Sequence, residues 1–163
     1  MTQQEIFIKM ALDAWNTHIK RTDDLFNGLS DEQLLIEIAP GRNRGVYLLG
    51  HLTAVHDRML PILDLDNQLH PELYNSFVEK RDKEVAEVPA TADLRLYWKE
   101  VNTTLSEHFK KLTPEEWFQK HNSVSEEDFA KEPHRNKLNL VINRTNHLSS
   151  HLGQLVFLKG KEE

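Results

Sequence analysis

The 163-residue chain contains no cysteine. Disulfide bridges and thiolate-held metals are therefore excluded, and nothing asks for an oxidising compartment. Long apolar runs are missing as well; no stretch approaches the roughly 20 residues that cross a bilayer. The opening segment, MTQQEIFIKMALDAW, has no basic lead, apolar run or small-residue cleavage site, so no secretory leader is expected and the expected location is the cytoplasm. Glycine and proline are scarce, at six each, which suits long helices with short connections. An excess of basic charge is lacking too: the net charge is −6 and the pI about 5.8. Nucleic-acid binders ordinarily present a basic face, and Arg42 with Arg44 in a Gly/Asn loop is too small a cluster for one. The expected partner is a small-molecule substrate, with neither nucleic acid nor membrane.

What is present is helical periodicity. Ile6, Met10, Ala14 or Trp15, Ile19 and Phe26 recur at helical spacing over about 3–26, with Asn27-Gly28 as the stop. Ser30-Asp31-Glu32-Gln33 reads as a capping box opening a short helix to Ile36. A second long helix is predicted over 46–65, on the stripe Leu48, Leu52, Val55, Met59 and Ile62, with Pro61 loosening its last turns. Residues 64–89 read as a surface connection holding a short helix near 71–77. A third helix over 92–112 would be capped by Thr91 and bury Leu94, Trp98, Val101, Leu105 and Phe109. Thr113-Pro114-Glu115-Glu116 is another capping box, and 119–135 reads as polar and irregular. The fourth helix, over 136–158, carries Leu138, Val141, Ile142, Thr145, Leu148, Leu152 and Leu155, and Gly160 closes it. No stretch alternates like a strand. The expected fold class is all-α: an up-and-down four-helix bundle of antiparallel helices with short extra helices in the connections, forming one domain over 1–163.

Nine histidines are many for this length. His70, His108, His121 and His134 lie in polar surroundings and read as solvated; His18 could face inward. His147 and His151 differ. Four residues apart on an apolar helix, they project about 40° apart with about 6 Å of rise, a spacing that lets two imidazoles share one ion. Asn143 precedes and Gln154 follows on nearly the same line. The bland reading is a strip of buried, hydrogen-bonded polar side chains. A third ligand must come from another helix, and His51, bordering the Leu48–Val55 stripe, is the best candidate. Gly50 and Gly153 sit at the same level, and a close approach of the second and fourth helices would give both a packing reason. His56, about 140° around from His51, cannot share its ion.

The segment Asn143-Arg144-Thr145-Asn146-His147-Leu148-Ser149-Ser150-His151-Leu152-Gly153-Gln154-Leu155 resembles the last helix of the DinB/YfiT-like superfamily, with its His-x-x-x-His-x-Gly-Gln pattern. Leu49-Gly50-His51-Leu52 resembles that family's second-helix ligand. The resemblance implies a four-helix bundle holding one divalent ion through His51, His147 and His151, and all three are present. Known members include thiol-dependent S-transferases and isomerases; many have no known activity.

Three neutral imidazoles leave an ion its full charge and open positions, the layout of a catalytic rather than a structural centre. Such an ion would activate a bound low-molecular-weight thiol for transfer to an electrophile, or a water for hydrolysis. Imidazole suits several metals, with zinc or nickel ranked first and manganese or iron as alternatives. Asn143 and Gln154 fit orienting roles, as does Tyr47, one turn before His51. No general base is evident. The competing class is therefore a non-catalytic metal-binding stress protein or a dimeric interaction module, with a homodimer as the assembly.

Overall fold

A computed structural model describes residues 1–161. Helix α1 (Gln3–Gly28) starts from a reciprocal capping box between Thr2 and Glu5. Its buried residues are Ile8, Trp15, Thr22, Leu25 and Phe26. Ile6 and Met10, expected on that stripe, are instead 44% and 62% exposed. The large rings decide the rotation: turning the helix to sink Trp15 and Phe26 buries far more apolar surface than the smaller side chains would. The short helix α2 (Asp31–Leu34) carries the Ser30–Gln33 box, ending two residues before Ile36.

Helix α3 (Gly45–Asp57) stops well short of residue 65. At Asp57 the chain turns, and that buried carboxylate accepts the backbone N–H groups of Leu69 and His70 at 2.8 and 2.9 Å. Pro61, without a donor to close onto residue 57, lies in the separate single-turn helix α4 (Met59–Ile62). The connection after it is not merely superficial. Leu63, Leu73 and Phe77 are each at most 1% exposed, and a π-helical turn, Asn75–Glu79, stands where the short helix was expected. Arg44 fastens this connection to the start of α3: its backbone N–H and its guanidinium both donate to Asp82, at 2.8 and 2.7 Å.

Helix α5 (Thr91–Phe109) buries Leu94, Trp98, Val101, Leu105 and Phe109, as its spacing predicts. Its N-cap is Ala90, which offers no side-chain cap, and Thr91 is the first helical residue. The Thr113–Glu116 capping box opens α6 (Pro114–Trp117). Within the stretch expected to be irregular, Ser125 caps another short helix, α7 (Glu126–Lys131). Helix α8 (Lys137–Leu155) is capped by Asn136 and runs into a 3-10 turn, Val156–Leu158. Ile142, expected on its buried side, is 42% exposed. Gly160 closes the turn with φ +75°. Two isolated bridges, Glu37–Arg44 and Lys120–Asn136, are the β-type pairings among the described residues.

The all-α bundle is built from α1, α3, α5 and α8, with α1 packed along α8 and α3 along α5. The core fixes their directions. One apolar cluster joins the end of α1 (Leu25, Phe26), the starts of α3 and α5 (Leu48, Leu94, Trp98) and the end of α8 (Leu148, Leu155). The other joins the start of α1 (Ile8, Trp15), the end of α5 (Leu105, Phe109) and the start of α8 (Leu138, Val141). So α1 and α8 run one way, α3 and α5 the other. The order is up, down, down, up rather than strict alternation, because residues 58–90 carry the chain back along the bundle before α5 begins.

Candidate metal centre

Helices α3 and α8 bring three histidines to one point. His51 Nε2 lies 3.2 Å from His147 Nε2, and His151 Nε2 lies 3.1 Å from the same atom. One ring nitrogen from each of the three falls within 4.8 Å of the others. All three residues are half-buried. Donors each about 2.0–2.1 Å from one centre, at angles between octahedral and tetrahedral, stand roughly 2.9–3.4 Å apart. The two short separations fit a shared ion.

The opposite ring nitrogens fix how two imidazoles point. His51 Nδ1 donates to the carbonyl of Phe77 at 2.8 Å, and His151 Nδ1 donates to Gln154 Oε1 at 2.8 Å. A neutral imidazole that donates from Nδ1 keeps a free lone pair on Nε2. Both lone pairs therefore face inward. Burial, first of all, holds His51 below its ordinary pKa and His147 at about 4, and the neighbouring histidines and Arg144 push both the same way. The shifts favour the neutral imidazole, the form that binds metal.

Of the other residues singled out by sequence, Gln154 bonds a histidine and Asn143 does not; Asn143 is exposed. Tyr47 stacks on the His51 ring at 6.2 Å between centroids, and its hydroxyl donates to the Lys80 carbonyl at 2.7 Å. It braces His51 rather than facing the convergence point. The glycines do not have the reason expected of them. A Cβ on Gly50 would meet the Phe77 ring at 2.4 Å, whereas one on Gly153 would meet nothing within 4 Å. Gly50 admits the crossover segment, not α8. His70 is not simply solvated either: it stacks on Tyr97 at 3.9 Å and its Nε2 lies 2.9 Å from Glu100. His134 is exposed, as expected.

Three groups near the centre escape a reading by helical spacing. The Phe77 carbonyl belongs to the connection, and only Gly50 hinted at a close neighbour there. His56 is fully buried between Trp15 and Trp98, with ring centroids 4.8 and 5.0 Å away. It donates from Nδ1 to Asn102 Oδ1 at 2.8 Å, leaving Nε2 buried without a partner. Arg144 precedes His147 by one helical turn, and its Nε is likewise buried and unpartnered.

His56 sets a pH dependence. Burial, opposed by the Asn102 hydrogen bond, pushes its pKa down to about 3. The unfolded chain takes up that proton near 6.5 and the folded chain does not. His56 therefore adds full stability above about pH 6.5, and loses up to about 1.4 kcal/mol for each pH unit below that, down to about 3. Urea unfolding of metal-free protein at pH 7 and 4.5 should show this loss, and His56→Gln should flatten the slope. A slope unchanged by that substitution would assign the loss elsewhere.

A family model described as the DinB superfamily matches residues 14–155 of the chain. No curated protein matches it.

Proposed function

We propose, from the premise that the chain belongs to the DinB superfamily, that His51, His147 and His151 hold one divalent metal ion through their Nε2 atoms and that this centre handles a small-molecule substrate. The observation that carries the reading is the opposed hydrogen bonding of two of the rings. Phe77 and Gln154 take the outer N–H groups, and the inner lone pairs meet on His147. Zinc or nickel suits three imidazoles, with manganese or iron as further candidates. When bound, the ion would supply Lewis acidity that brings a thiol or water pKa toward the neutral range.

The chain's own contribution is position and charge. Gln154 and the Phe77 carbonyl keep the rings oriented, and Tyr47 limits tilting of His51. With no cysteine in the chain, a reacting thiol arrives as cosubstrate, and its transfer to an electrophile is the favoured reaction class, ahead of hydrolysis. Among the described residues, the groups that act electrostatically on His51 and His147 are other histidines and Arg144, with no carboxylate among them. That absence of a carboxylate base supports the second reading, a metal-binding protein without turnover.

The test is elemental analysis of protein purified without chelator, followed by titration of stripped protein with zinc and nickel. One ion per chain is expected, with release by chelator. Failure of zinc, nickel, manganese and iron all to bind would overturn the metal reading. Stoichiometric metal without turnover in thiol-transfer and esterase assays would favour the second reading.

A further inference from the structure

Arg44, Arg95 and Arg135, the other half-buried arginines, each reach a carboxylate. Arg144 does not: among the described residues no acid pairs with it, and its buried Nε meets no acceptor. The chain as a whole is acidic, at −6, so carboxylates are not scarce. A guanidinium can keep its terminal nitrogens in water, but a buried Nε still has to find an acceptor inside the protein. Leaving a buried charge-bearing donor unmatched is unfavourable, and such a group is retained where something else completes it.

The surroundings share one sign of charge. Arg144 stands three residues before His147 on α8, a spacing that brings side-chain bases within about 5–6 Å. His147 in turn reaches His51 on α3 at 3.2 Å, so Arg144 borders the face of α8 that meets α3. Burial above all, and then the charge of Arg58, lower the Arg144 pKa, Tyr74 opposing; no carboxylate among the described residues acts on it. Arg58 lies 4.3 Å over the Tyr74 ring. The acid next to Arg58 in sequence, Asp57, is consumed by the backbone of Leu69 and His70. Arg144, with no acidic partner among the described residues, thus stands one turn from His147, and the exposed Arg58 adds positive charge nearby.

We propose that Arg144, backed by Arg58, binds a carboxylate of the substrate while the substrate's reacting atom reaches the three-histidine centre. The inference rests on the metal reading above and specifies its substrate class: small molecules carrying a carboxylate a few bonds from the reacting thiol or electrophilic atom. A guanidinium fork matches a carboxylate in a planar, two-bond geometry that a lysine cannot reproduce. Arg144 is the specificity-determining residue in this arrangement; Arg58 repels cations and reinforces the field.

The test compares two thiols that differ in one group. Cobalt(II)-loaded protein is titrated with N-acetylcysteine and with N-acetylcysteine amide, following the thiolate-to-cobalt absorption band. Wild type should bind the carboxylate form about tenfold or more tightly, the scale of a charge-assisted hydrogen bond. Arg144→Gln should erase the preference while leaving cobalt affinity and helical circular dichroism in place. Arg144→Lys should keep only part of it, and this variant decides the question if Arg144→Gln does not fold. Equal binding of both thiols by wild type, or an unchanged preference in Arg144→Lys and Arg144→Gln, overturns the proposal while the metal centre stands. Absence of any cobalt spectrum instead defeats the metal reading, and the carboxylate proposal falls with it.

Discussion

Replacing His147 with alanine should lower metal affinity by well over a hundredfold and leave the bundle folded. His147 is the middle ring; both short Nε2 separations are made to it. Loss of a partner one shell further out already costs 10–100-fold in comparable centres, and a direct ligand costs more. The fold does not depend on it. Leu148 and Leu155 on the same helix, with Leu48, Leu49 and Leu52 opposite, are fully buried and carry the packing. The substitution also removes a buried Nδ1 that has no partner. Metal at a hundredfold excess over Kd should raise the wild-type Tm through about 2.7 kcal/mol of added stability, roughly 5–10 °C for this size. His147→Ala should show no such rise, with unchanged circular dichroism. A variant that still gains the full shift from metal would remove His147 from the site.

Phe77→Ala should be the most destabilising single change at the centre. Truncating a fully buried phenylalanine costs about 3–5 kcal/mol, and Phe77 is 1% exposed against Gly50, Tyr47 and the α3 leucines. The effect reaches the site because the same residue's carbonyl holds His51 Nδ1. Once the ring no longer pins the π-helical turn, that carbonyl drifts and His51 loses its orientation. Metal affinity should fall about 10–100-fold in the fraction that stays folded. Gly50→Ala should go the same way more mildly, since the added methyl meets that ring. Metal affinity unchanged in folded Phe77→Ala would separate the packing from the ligand geometry.

These two residues mark where the sequence stops being legible. His147 and His151 can be paired from spacing alone, because two residues four apart on one helix share a face whatever surrounds them. The stripe of α5, the two capping boxes and Gly160 are local in the same way. His51 reached its place for a reason other than the one its flanking glycine suggested: Gly50 faces an aromatic ring from the crossover, and Gly153 faces open space. Spacing says which side chains share a face, not what lies across from it. Hence spacing points Ile6 and Met10 inward although Trp15 sets the rotation of α1; it separates His56 from the ion without revealing its burial, and it gives Phe77 and Arg144 no role. The end of α3 is not legible because an apolar stripe can cross a break: Asp57 turns the chain while Met59 and Leu60 continue the core. Helix direction was likewise hidden, since a 33-residue connection reads the same whether or not it carries the chain back along the bundle.

That crossover and the pairing of the first helix with the last have a consequence for synthesis. His51 and His147 are 96 positions apart. At about 5–20 residues per second, the first ligand leaves the ribosome roughly 5–20 s before the second. During that interval α3 and α5 can already lie side by side, but α1 lacks its main partner, and the α8 leucines Leu148 and Leu155 of one apolar cluster and Leu138 and Leu140 of the other have yet to arrive. A lone imidazole on α3 holds metal weakly, so capture waits for the last helix to dock. An ion bound at the proposed centre would therefore enter a finished molecule and would not act as a template for making one.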